Sequence, residues 1–363
     1  MLNLLYINKE YNKYINMKNN INLFHSNPLD IHFLKNLTTD SYCKYFNNNT
    51  FVTFKSYSNI FYIIYTNKFN SIISLNLINN QIINEIKKAH NNYINSFRHY
   101  FDKENKRDLI ISLSHNDNNL KLWNINNFEC LLNIKKVNET GWLSSACFFN
   151  YNNKNYILTS NNYNGNKSIE NIKIFDLKGN KVKEINNSNY STFFIDTYYD
   201  NKLSKNFIIT GNKGYSQSYD YNENKKYFKY NDEDYQESYF HMSIIIDDTE
   251  KMKKMIESSC RGIIRIWDFH SAKLLNKIII NNEWLNSICL WNKEYLFVGC
   301  KDSSIKLIEL NTNKVIKNMN GHNNRILTIK KMIHPKYGEC LISQDADDSH
   351  IKLWINSNLI LKN

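Results

Sequence analysis

A seven-residue string that returns seven times, β-rich runs divided by tight polar turns, and only two prolines in 363 residues together predict an all-β fold. The expected architecture is a seven-bladed β-propeller with four antiparallel strands per blade. The string reads SIISLNL from Ser71, NLKLWNI from Asn119, NIKIFDL from Asn171 and YSQSYDY from Tyr215. It returns as IIRIWDF from Ile263, SIKLIEL from Ser304 and HIKLWIN from His350. Successive copies lie roughly 41 to 52 residues apart, close to the period of a four-stranded blade. Side chains alternate between two faces, and in most copies both faces are apolar. That suits a strand covered on each side by a neighbouring blade. Each string is therefore expected to be the third strand of its blade.

The flanking segments supply the other strands. Before the string comes a β-rich run, such as Asp108–Ser114, Tyr295–Cys300 or Glu339–Gln344. A polar turn joins run to string at 115–119, 301–304 and 345–350. Further upstream lies an innermost strand, seen as WLSSACFF from Trp142 and WLNSICLW from Trp284. After the string, outer strands are expected at Leu274–Ile280 and Val315–Met319. Ring closure needs one more outer strand. Either 359–363 or the N-terminal Asp30–Leu37 can supply it, and the longer N-terminal segment is preferred. The domain plan is then a polar, Asn-rich extension over 1–29 and a propeller over 30–363.

Trp-Asp and related endings carry a family resemblance: IWD at 266–268, LWN at 122–124 and IFD at 174–176. Gly321-His322, and more weakly Ala89-His90, stand where a Gly-His would open a blade. These residues resemble the WD-repeat propellers over about residues 50–360. The resemblance implies a buried hydrogen-bonded set of His90, Ser112, Asp117 and Trp123 in blade two. In blade seven it implies His322, Ser343, Asp348 and Trp354. Arg261 replaces the expected Asp in blade five, and Ile308 replaces Trp in blade six.

Composition narrows the function classes. Roughly one residue in six is Asn, and Lys, Ile and Tyr are abundant, a bias that points to an A/T-rich genome. Asn tolerates left-handed backbone, so it is expected in turns that Gly fills elsewhere. The formal net charge of +12 is spread along the chain, which fits a solvated basic surface better than a dedicated polyanion site. Seven cysteines without a CxxC pair read as buried, reduced thiols of an intracellular, cytoplasmic or nuclear protein. The N-terminus is broken by Lys9 and Glu10, unlike a signal peptide, and no apolar run approaches membrane-spanning length.

No enzymatic chemistry stands out. The His–Ser–Asp sets recur with the repeat beside Trp, which favours structure over nucleophilic catalysis. Asp347 and Asp348 read as turn residues rather than metal ligands, and no phosphate-binding loop or cofactor motif is present. The acidic stretch at Asp232, Glu233 and Asp234 reads as surface charge. One feature does invite binding. Tyr93, Trp142, Trp284 and Arg325 enter the innermost strands of blades two, three, six and seven, on one rim. Aromatics and Arg are frequent interface anchors. As the resemblance to WD-repeat scaffolds also implies, the expected function is non-enzymatic binding of proteins or peptides. The alternative is a basic propeller that engages RNA or an anionic phosphoinositide surface. Lipid-binding propellers of this family carry Arg-Arg-Gly, whereas Cys260-Arg261-Gly262 offers one Arg.

Overall fold

The computed structural model describes residues 28–356, apart from 39, 44–48, 115, 138–141, 163–169, 189–190, 233–240, 248–251, 281–282 and 347–349. Seven antiparallel sheets of four strands each make up the fold. The third strands are Ile72–Asn76, Asn119–Asn124, Glu170–Asp176, Ser216–Asp220, Ile263–Asp268, Ile305–Glu309 and Ile351–Asn356. Every recurring string thus falls on a third strand. The chain is a seven-bladed propeller, as its sequence predicts.

The first strands, which line the channel, are Val52–Lys55, Ile94–Asp102, Trp142–Tyr151, Thr192–Asp200, His241–Asp247, Leu285–Leu290 and Ile326–His334. Six of them bulge near their start, for example between Ile94 and Ser96 and between Leu285 and Ser287. A bulge adds twist and redirects the residues before it. Neighbouring inner strands are tied by hydrogen bonds. Ile329 N–H donates to Ser287 Oγ at 3.1 Å, Phe97 N–H donates to Asn49 O at 2.7 Å, and Thr50 Oγ1 donates to Thr328 Oγ1 at 2.9 Å.

Apolar side chains form layers between neighbouring blades rather than one central core. Gly299 shows how close two blades come: a Cβ there would lie 2.6 Å from Ile326 Cγ2 of the next blade. Left-handed turns use Asn freely. Eight of the fifteen described non-glycine residues with positive φ are Asn, including Asn118 and Asn313. The fourth strand of blade seven is Ile31–Asn36, antiparallel to Ile351–Asn356, and Leu37 N–H donates to Ile351 O at 2.7 Å. Residues 1–27 and 359–363 lie outside the described residues. Cys130 is exposed on an outer strand, against the expectation of a buried thiol, whereas the other six cysteines are buried.

Candidate functional site: a repeated hydrogen-bonded core and one rim

An indole N–H removed from water needs an acceptor. In blade two, Trp123 Nε1 donates to Ser112 Oγ at 2.8 Å, and His90 Nε2 lies 2.7 Å from the same oxygen. Blade seven repeats the set. There Trp354 Nε1 donates to Ser343 Oγ at 2.7 Å, with His322 Nε2 at 2.6 Å. Trp123, Trp354, His90, His322, Ser112 and Ser343 are all buried.

Of the acidic members, Asp117 is the one that can be placed. Asp117 accepts from Asn119 Nδ2 at 3.3 Å, while its Oδ1 and His90 Nδ1 are buried and have no hydrogen-bond partner among the described residues. Asp348 lies outside the described residues. The carboxylate beside His322 belongs to Asp345, 3.2 Å from Nδ1, and it also accepts the Asn323 and Asn324 N–H groups. Gly321 holds a φ of 143°, and a Cβ there would sit 3.3 Å from the Trp354 ring. Both facts favour glycine before this histidine.

Blade five keeps the indole but changes the acceptor. Trp267 Nε1 donates to Glu257 Oε1 at 2.9 Å, and Ser216 Oγ of blade four donates to Glu257 Oε2 at 2.6 Å. Blade six lacks both the indole and its hydroxyl acceptor. Ile308 of blade six faces Leu296, and the second-strand position equivalent to Ser112 holds Val298. With no indole N–H to satisfy, blade six needs no hydroxyl there, whereas blades three and four keep Thr159 and Thr210 at that place beside Phe175 and Tyr219.

A basic residue two places before the terminal aromatic completes the set, and sequence reasoning missed it. Lys121 Nζ donates to Ala89 O at 2.5 Å, Lys173 Nζ to Val137 O at 2.7 Å, and Lys352 Nζ to Gly321 O at 2.5 Å. Each fastens the loop that enters its blade. The signal was visible in NLKLWN, NIKIFD and HIKLWI, which share Lys at one place. Arg265 holds that place in blade five and bonds Asp232 instead. Asp232 is thus an internal partner, not part of a free acidic patch. Glu233 and Asp234 lie outside the described residues.

Burial of the ring, aided by the Lys121 charge, holds the His90 pKa down to about 3. An unfolded His titrates near 6.5, so the unfolded chain takes up this proton first as pH falls. His90's contribution is therefore complete above about pH 6.5 and is lost progressively towards pH 3. Between pH 7.5 and 5 this single group should remove about 2 kcal/mol of stability. His90→Gln should flatten that acid limb in urea titrations. An unchanged slope would show that His90 protonates without cost.

The rim residues share one location. Tyr93, Trp284 and Arg325 immediately precede Ile94, Leu285 and Ile326, which open equivalent bulges; Trp142 precedes Leu143 in the same way. Tyr93, Trp284 and Arg325 are half-buried, and the Trp142 side chain lies outside what is described. Their backbones are held. Lys301 N–H donates to Trp284 O and Ala346 N–H to Arg325 O, each at 2.9 Å, and Tyr93 N–H meets Asn92 Oδ1 at 2.8 Å. The Tyr93 ring leans on Tyr42, with centroids 5.7 Å apart.

Among the described residues, no helix is long and apolar enough to cross a membrane, and no cluster of His, Cys, Asp or Glu is arranged to hold a metal. No family model matches the sequence. A curated relative, the U3 small nucleolar RNA-associated protein 21 homolog of Schizosaccharomyces pombe, is 23% identical over 112 residues. That match covers 31% of this chain and 12% of the relative. Among solved structures, Chaetomium thermophilum Raptor superposes with a TM-score of 0.67 at 15% identity, over 93% of this chain and 30% of that protein. The chain thus corresponds to less than a third of either protein's length. Seven four-stranded blades make this chain a seven-bladed β-propeller, and its recurring indole–hydroxyl–imidazole set resembles that of the WD-repeat propellers.

Proposed function

We propose that this propeller is a non-enzymatic, intracellular scaffold that binds proteins or peptides on the rim carrying Tyr93, Trp142, Trp284 and Arg325. The observation that carries the reading is the shared placement of large aromatics and Arg before equivalent first-strand bulges. Side chains on a tied-down backbone lose little freedom on binding, and such anchors dominate interface energetics. The fission yeast relative is named for association with a small nucleolar RNA, which supports a nuclear setting.

The test is affinity purification from native cells with nuclease present, comparing the natural chain with Trp142→Ala combined with Trp284→Ala. Loss of two anchors should cost at least about 2 kcal/mol, or roughly 30-fold in affinity. The melting curve should stay nearly intact. Full recovery of partners by the double variant would refute the rim assignment. If the recovered binding also falls steeply with added salt, phosphate-backbone contacts carry it, and the RNA or anionic-lipid reading takes over.

A further inference from the structure

Six first strands bulge at one place, and the residue two positions beyond each bulge marks one level of the channel wall. That level holds Arg98, Cys147, Asp196, Ile245, Cys289 and Lys330, with Val52 completing the ring in blade one. Among the described residues, the two cations of this ring have no carboxylate partner within salt-bridge distance. Lys330 Nζ lies 5.7 Å from the Phe51 ring centroid and makes no hydrogen bond among the described residues. Arg98 Nε donates to Ala146 O at 3.1 Å, and its Nη2 makes a long 3.5 Å contact with Ile195 O. The guanidinium is thereby laid across blades three and four with donors to spare. Asp196 keeps one oxygen on the Thr197 N–H, at 2.9 Å.

We propose that the central channel binds a phosphate group between Arg98 and Lys330. Arg supplies a planar fork for two phosphate oxygens, and Lys supplies a compact charge for a third. Both cations are half-buried on the channel wall, where water screens less than at an open surface. Asp196 stands on the same level, and its negative charge opposes a bound anion and limits its affinity.

The electrostatics are consistent with this geometry. Burial and the like charge of Arg98 bring the Lys330 pKa down to about 7, against the opposing pull of Cys289 and Asp196. A bound anion favours the ammonium form, so binding near pH 7 should draw in a proton. That uptake distinguishes a channel site from loose surface attraction.

Calorimetric titration of the full chain with inorganic pyrophosphate should give saturable binding. Repeating it in two buffers of different ionisation heat should show net proton uptake at pH 7. Lys330→Met should abolish the uptake and weaken binding at least tenfold, and Arg98→Gln should weaken it similarly. Asp196→Asn should tighten binding severalfold, a gain that misfolding cannot mimic. A phosphoserine peptide titrated in parallel separates the two sources of the group. Tighter binding than pyrophosphate assigns the site to a phosphorylated partner, and weaker binding assigns it to a free phosphate compound. The proposal is overturned if pyrophosphate does not saturate, or if Lys330→Met and Asp196→Asn leave the affinity unchanged.

Discussion

Replacing Asp232 with Ala should cost about 3–5 kcal/mol, because it removes a two-pronged carboxylate partner from a wholly buried guanidinium. Arg265 has no exposed side-chain surface, and Asp232 retains only 12%. The carboxylate receives Nε at 2.9 Å and Nη2 at 3.3 Å, a two-pronged geometry, while Lys277 Nζ stands 3.6 Å away. The pair fastens the segment entering blade five to its third strand, where Lys121 and Lys352 use backbone carbonyls in their own blades. Asp232→Asn keeps acceptors but not the charge and should lose less. Removing both partners, with Arg265→Met in the Asp232→Ala background, should recover much of the loss, since an apolar pair leaves no stranded charge. Urea unfolding of the three variants measures this. A loss under about 1 kcal/mol for Asp232→Ala would mean that water reaches Arg265 easily.

The ring was legible because its signal is redundant. The strings alternate with period two and recur beside polar turns, so a weak copy such as YSQSYDY is placed by its neighbours. The hydrogen-bonded core was legible only where the same residue types recur. Ser112 and Ser343 could be read from their matched order, but Glu257 could not, because a carboxylate does the acceptor's work from a longer side chain. Asp345 escaped for a related reason. It ends the second strand, where the repeated order of His, Ser, Asp and Trp gives no reason to look for an acid. The ring of Arg98, Asp196 and Lys330 was hidden further still. These residues are 98 and 134 positions apart and meet only because three bulges set the same register. Rim placement of Tyr93, Trp284 and Arg325 followed from the repeat, whereas their half-burial depends on how each entering loop folds back.

Removing residues 1–36 should destabilise the whole ring by about 5 kcal/mol or more and expose it to aggregation. Ile31–Asn36 is the outer strand of blade seven, so its loss turns Ile351–Asn356 into an open edge. That strand is apolar and otherwise buried along its length, the kind of edge that pairs with another chain. Several contacts leave with the deleted segment. Ile31 is fully buried in the layer between blades six and seven, and Phe33 packs edge-on against Trp354 with centroids 5.6 Å apart. Lys317 Nζ loses both of its carbonyl acceptors, Leu29 O at 2.5 Å and Ile31 O at 2.6 Å. The burial of Ile31 alone is worth about 1.5–3 kcal/mol, and each lost ladder bond adds about 0.5–1.5. A synthetic peptide spanning residues 28–38 should restore part of the stability by adding its strand to the open edge. The measurement is a melting curve of the truncated chain with and without the peptide, alongside size-exclusion chromatography. A truncated chain that stays monodisperse and melts within a degree or two of the full chain would show that the ring closes without its N-terminal strand.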